Sequence, residues 1–274
     1  MNKTFGIEPA LMREFQLVTE HCTLNVAEGP ANGPLLLLLH GFSNRWQVFR
    51  SMLPVLMPNW HVVCFDFCGH GRSGRLPAYS ANHFYQDGAA VFAHFSPEPM
   101  VLVGHSMGGS IALYLAQNFP ERVRAVVTGD TSLALSVHIE MMNSRRQVKL
   151  FGLRRKLAGR PVDELVRRGL APEQAEEMSQ LDPHVLDCHA EGRVQDFFAD
   201  VQDVDFGRIG CPVLLTQANP EKGGLLQDAE VAPVLTAYPH FVFRRFDEAG
   251  HDLNIEQGLN SPFWQVALEF LQKF

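Results

Sequence analysis

The chain has 274 residues, 46% of them hydrophobic, which suits one sizeable α/β core carrying an insertion. A formal net charge of −7 excludes the basic footprint of a nucleic-acid binder and serves mainly solubility. No apolar leader pattern follows Met1-Asn2-Lys3, and the strongly apolar run Leu35–Leu39 is far too short for a bilayer, so an unexported cytoplasmic protein without a membrane partner is expected. The five cysteines (Cys22, Cys64, Cys68, Cys188, Cys211) are odd in number and lack CxxC spacing, and read as reduced, mostly buried thiols.

Strand and helix signals alternate along most of the chain, the pattern of a largely parallel sheet covered on both faces. Phe15–Thr19 and Cys22–Ala27 read as an opening antiparallel pair, and Leu35–Leu39 as a buried central strand. A helix is expected over about Trp46–Met57, stopped by Pro58, then a strand over His61–Phe65 ending in Asp66 and the loop Gly69–Gly74. A helix over about Asn82–Phe95 leads to the apolar strand Met100–Val103. After a helix closing near Pro120, Val123–Thr128 is a further strand, ending at Gly129-Asp130. From about Ser132 to Asp205 no strand signal remains, and helical segments are punctuated by Pro161, Gly169, Pro172 and Pro183. Strands resume at Pro212–Thr216 and Phe241–Phe246, and Pro262–Lys273 closes the chain as a helix.

Gly104-His105-Ser106-Met107-Gly108 lies where the Met100–Val103 strand turns into a helix. A Gly-x-Ser-x-Gly turn in that setting forces its central residue into a strained backbone and requires small neighbours. It also places the serine at a helix N-terminus, whose free N–H groups face a developing oxyanion. Ser106 is therefore the candidate nucleophile. Together with His40-Gly41-Phe42, Asp66–Gly74 and Ala249-Gly250-His251, in this order and spacing, the chain resembles the α/β-hydrolases of the serine-hydrolase type with a helical cap. The resemblance covers Leu35–Asp130 and Pro212–Phe274. It implies an eight-stranded, mostly parallel core made of residues 1–131 and 206–274, with the cap, 132–205, inserted after the sixth strand.

A serine hydroxyl needs a base held by a carboxylate. Among twelve histidines, His251 follows the last strand, downstream of the serine as the resembled fold requires. For the acid, the turn after the seventh strand, Gln217–Gly224, departs from the common Gly-x-x-Asp pattern and offers Glu221. Asp130, at the carboxyl end of the sixth strand, occupies the crevice edge where catalytic groups gather, and some subfamilies, such as many haloalkane dehalogenases, carry their acid there. Asp130 is preferred and Glu221 is the alternative; Asp203 and Asp205 are weaker candidates. The backbone amides of Phe42 and Met107 are expected to form the oxyanion hole. Gly41 lets its loop approach the substrate, and Gly41 and His105 are expected at the substrate pocket, with the His105 side chain packing or hydrogen-bonding down the other side of the elbow, while His40 fixes the loop by hydrogen bonding.

Gly69–Gly74 lacks the Lys-Ser/Thr ending of a phosphate loop and reads as a structural turn. His184-x-x-x-Cys188-His189 has metal-like spacing but no second ligand cluster, so neither metal nor other cofactor is expected. The resulting expectation is a cofactor-free carboxylesterase-like hydrolase of small to medium esters. A C–C bond hydrolase, lactonase or perhydrolase would use the same triad, and a small-molecule receptor with a residual triad is the reading from another class.

Overall fold

The computed structural model describes residues 12–95 and 98–274. Eight strands, β1 (Arg13–Val18), β2 (Thr23–Glu28), β3 (Leu35–Leu39), β4 (His61–Phe65), β5 (Met100–His105), β6 (Val123–Gly129), β7 (Val213–Ala218) and β8 (Phe241–Phe246), form one sheet in the order β1-β2-β4-β3-β5-β6-β7-β8. β2 runs antiparallel to β1 and β4, and every other pair is parallel. The all-leucine strand β3 is buried throughout because both faces of the sheet are covered. Leu35, Leu37 and Leu39 enter one core and Leu36 and Leu38 the other, as the two-residue period of a strand dictates.

The first core is closed by α2 (Ala81–His94), α3 (Met107–Asn118) and α10 (Asp228–Ala237), and the second by a 3-10 stretch Trp46–Met52, the short α1 (Leu53–Leu56) and α11 (Pro262–Leu271). The expected Trp46–Met57 helix is thus 3-10 over its first half: its start is held not by a residue of its own but by Asp66, whose Oδ1 accepts the Trp46 N–H at 2.8 Å. α10 has no counterpart in the sequence expectations, since Pro233 lies inside it. A reciprocal capping box between Gln227 and Glu230 starts it, and it provides the crossover that joins parallel β7 to β8.

Between β6 and β7 the chain forms only helices: α4 (Leu135–Met142), α5 (Arg145–Leu157), α6 (Val162–Arg167), α7 (Pro172–Ser179), α8 (Asp187–Ala190) and α9 (Val194–Phe197), with 3-10 turns between some of them. Their side chains join the first core and roof the carboxyl ends of the parallel strands, leaving a cavity of about 380 Å³ beneath them. No described helix is long and apolar enough to cross a membrane.

Candidate active site

The register of the central strands brings three chain-distant residues to one edge. β5 and β6 pair His105 with Gly129, so the next residues, Ser106 and Asp130, leave the sheet side by side, and the Ser106 N–H donates to the Gly129 carbonyl at 2.8 Å. Both have positive φ, 53° for Ser106 and 47° for Asp130, a conformation that non-glycine residues keep only where surrounding contacts impose it. At the elbow those contacts are close: a Cβ at Gly108 would lie 2.1 Å from the Leu39 carbonyl oxygen, and one at Gly104 would lie 2.2 Å from that of Gly108. Thr131 Oγ1 donates to the Ser106 carbonyl at 3.0 Å and tethers the turn from the β6 side.

His251 completes a continuous chain of hydrogen bonds. Its Nδ1–H donates to Asp130 Oδ2 at 2.7 Å, and its Nε2 accepts from Ser106 Oγ at 3.0 Å. Asp130 is fully buried, with three backbone N–H groups also directed at it: Leu225 at 2.7 Å to Oδ2, and Ala218 at 3.0 Å and Leu226 at 3.3 Å to Oδ1. Burial on its own would raise its carboxyl pKa. The hydrogen bond and charge of His251, with the Leu225 and Ala218 amides, outweigh that and hold it below the ordinary value. The turn after β7 therefore contributes amides to this carboxylate. Glu221 lies in that turn, exposed, in a 3-10 stretch capped by Asn219, and makes no hydrogen bond with Ser106 or His251. Asp203 and Asp205 are spent on the backbone of Leu135 and Gly207.

Met107 is the first residue of α3, so its N–H has no intrahelical partner, and neither it nor the Phe42 N–H is hydrogen-bonded among the described residues. The loop carrying Phe42 is held from below by two buried histidines. His40 accepts from Phe67 N–H and donates to the Gly41 carbonyl, at 3.2 and 2.8 Å; His70 accepts from Ser43 N–H and donates to the Cys68 carbonyl, at 3.1 and 2.9 Å. Burial pushes His40 well below its ordinary pKa and His70 down to about 4, so both stay neutral and each can donate and accept at once. Asp66 binds the Arg72 and Trp46 amides, which makes Gly69–Gly74 a structural loop wrapped around a buried carboxylate. His70 and Thr131 are supporting residues that the sequence did not single out, since neither lies in a motif that names its partner.

The cavity wall includes Ser106, Met107, Phe42 and His251 but neither Gly41 nor His105. That corrects the expected pocket placement: the tight turn aims the Ser106 side chain at the cavity and its neighbour away from it. His105 is buried behind the serine, where its Nε2–H donates to the His251 carbonyl at 2.8 Å and fixes the loop carrying His251. Burial and the charge of His251 push it down to about 4, so it stays neutral at neutral pH.

His184, Cys188 and His189 do not converge. His184 is exposed and bonded to Asp187, whereas His189 is buried against Phe42 and Phe197. Among the described residues, His21, Cys68 and Asp87 are the one set of three whose possible metal-ligating atoms lie within 4.8 Å of one another. There the Asp87 oxygens are already engaged, with His21 Nε2 and the Cys68 amide, each at 2.8 Å.

A family model described as alpha/beta hydrolase fold matches residues 34–257. The chain belongs to that family. A serine hydrolase-like protein of Danio rerio is 34% identical over 106 residues, covering 38% of this chain and 32% of that protein. The 2-(acetamidomethylene)succinate hydrolase of Mesorhizobium japonicum is 34% identical over 109 residues, 39% of each. These alignments thus span well under half of either relative's length. The crystal structure of an E-2-(acetamidomethylene)succinate hydrolase superposes with a TM-score of 0.68 at 20% identity, covering 96% of this chain and 98% of that one, a likeness of fold.

Proposed function

We propose that this chain is a serine hydrolase that cleaves carboxylic esters of small to medium substrates through an acyl-enzyme. The observation that carries the reading is the unbroken hydrogen-bond chain Ser106–His251–Asp130 opening onto a mostly apolar cavity. Ser106 Oγ attacks the acyl carbonyl while His251 Nε2 takes its proton. Asp130, ionised and buried, keeps the imidazole in the tautomer that accepts at Nε2 and stabilises the imidazolium. The Phe42 and Met107 amides receive the oxyanion. His251 then returns the proton to the leaving alcohol, activates a water in the same way, and the acyl-enzyme is released as the acid.

Residues 132–205 act as the cap that selects the substrate, and the unpaired thiols suit a cytoplasmic location. Relatives named for hydrolysis, among them a pimeloyl-[acyl-carrier protein] methyl ester esterase of Yersinia enterocolitica, are compatible with ester chemistry. The test is p-nitrophenyl butyrate turnover with a fluorophosphonate label. Ser106→Ala should lose both turnover and labelling while keeping the wild-type circular dichroism spectrum; residual activity at the wild-type level would remove Ser106 from the mechanism.

A further inference from the structure

Helix α5, RRQVKLFGLRRKL, carries six basic side chains and no acidic one, in a chain whose net charge is −7. Among the described residues only Arg155 of the six is ion-paired, to Asp187. Arg146 and Arg154, eight residues apart on one face of the helix, both line the cavity that holds Ser106. Arg146 is exposed at its rim. Arg154 is half-buried, its Nε is sealed from solvent without a hydrogen-bond partner, and no carboxylate lies within ion-pair distance of it among the described residues. Burial depresses its pKa; the charge of Glu177 opposes this from outside the cavity wall. A guanidinium does not shed its proton in a protein, so the charge persists at a cost.

No described carboxylate on the wall is ion-paired with Arg154: Asp203, the acidic residue there, accepts from the first amide of α4, at 2.6 Å, and Lys222 is paired with Glu248. His138 and His189 are pushed by burial to about 4 and about 3 and stay neutral. The remaining wall is largely apolar, with Leu113, Met142, Phe151 and Phe197 among its residues. A substrate group that met Arg154 would meet a guanidinium with no ion-pair partner among the described residues, in a largely apolar chamber, with a planar fork of donors suited to a carboxylate. The basic face of α5 supplies the field that draws an anion towards the opening.

We propose that Arg154 receives a carboxylate carried by the substrate, so that the favoured substrates are acidic esters. The proposal rests on the serine-hydrolase reading for its substrate class but not for its binding site. Two matched pairs test it, one with the carboxylate on the acyl side (p-nitrophenyl hydrogen glutarate against p-nitrophenyl valerate) and one with it on the leaving side (4-acetoxybenzoate against its methyl ester). Wild-type protein should favour the acidic member of at least one pair. Arg154→Gln should cut kcat/KM for that acidic ester by roughly ten- to hundredfold, chiefly through KM, while the neutral partner is nearly unchanged. Arg154→Lys, which keeps the charge but not the fork, should fall between. Equal losses on acidic and neutral esters, or no acidic preference in either pair, would overturn the proposal and leave Arg154 a structural partner of Glu177. Calorimetry of monomethyl against dimethyl glutarate on Ser106→Ala protein, with and without Arg154→Gln, reads the same site without turnover. A monoester preference that Arg154→Gln abolishes sustains the site even if no ester is cleaved; equal binding of both overturns it. Fluorophosphonate labelling of Ser106 reports separately on the hydrolase reading.

Discussion

Asp130→Asn is the sharpest perturbation of the site. Four donors converge on the two oxygens of this carboxylate: His251 Nδ1 and the Leu225 amide on Oδ2, the Ala218 and Leu226 amides on Oδ1. An asparagine offers one acceptor oxygen and an NH₂ group that can only donate. If its oxygen stays with Ala218 and Leu226, the NH₂ faces His251, which must shift its proton to Nε2 and can no longer accept from Ser106. If the amide flips, the NH₂ confronts the Ala218 and Leu226 N–H groups. The first arrangement should lower kcat by roughly 10⁴, about 5 kcal/mol of transition-state stabilisation. Either arrangement leaves a buried donor unsatisfied and should cost about 1–3 kcal/mol of stability. Initial rates on p-nitrophenyl butyrate and urea melts of the same preparations read the two effects. Glu221→Gln, altering an exposed side chain, should change neither. Asp130→Asn turnover within tenfold of wild type, or a crippled Glu221→Gln, would refute the assignment of the acid.

Two further outcomes follow from the same geometry. Gly108→Ala should destabilise by about 1–3 kcal/mol or more, because the added Cβ would meet the Leu39 backbone oxygen at 2.1 Å, and a backbone cannot rotate away as a side chain can; an unchanged melting temperature would count against the elbow packing. Stability should also fall between pH 7 and pH 5. His70, His105 and His138 are held at about 4 and His189 at about 3, against an ordinary 6.5, so below that value the unfolded chain takes up protons that the folded one refuses. Asp130, depressed in the fold, acts in the same sense at lower pH. His40 and His83, also lowered by burial, add to this; Glu177, raised by burial to about 7, and His21 and Asp66, raised as well, act oppositely but are three groups against six histidines. A urea midpoint that rises or stays level on acidification would show that these histidines are not buried in neutral form.

Local pattern made the elbow readable, because a serine between spaced glycines after an apolar strand has few other physical uses. The position of His251 was readable from its place after the last strand. The pocket wall was not: much of its lining comes from the helices between the sixth and seventh strands, and their order along the chain does not say which side chains face Ser106. His70 and Thr131 escaped notice for a related reason, since they act through hydrogen bonds to backbone 27 and 25 residues away.

By itself, the sequence determined the α/β alternation, the strand-free stretch between the sixth and seventh strands and the serine elbow, all of which follow from short-range periodicity and turn chemistry. Only the tertiary structure decided which carboxylate faces His251. Asp130 and Glu221 are alike as isolated acids, but the β5–β6–β7 register sets Asp130 beside Ser106, and the turn carrying Glu221 wraps its backbone amides around Asp130. It likewise set the unpaired guanidinium of Arg154 in the wall of the cavity that holds Ser106, because a helix with no strand beside it takes its place from the core it covers.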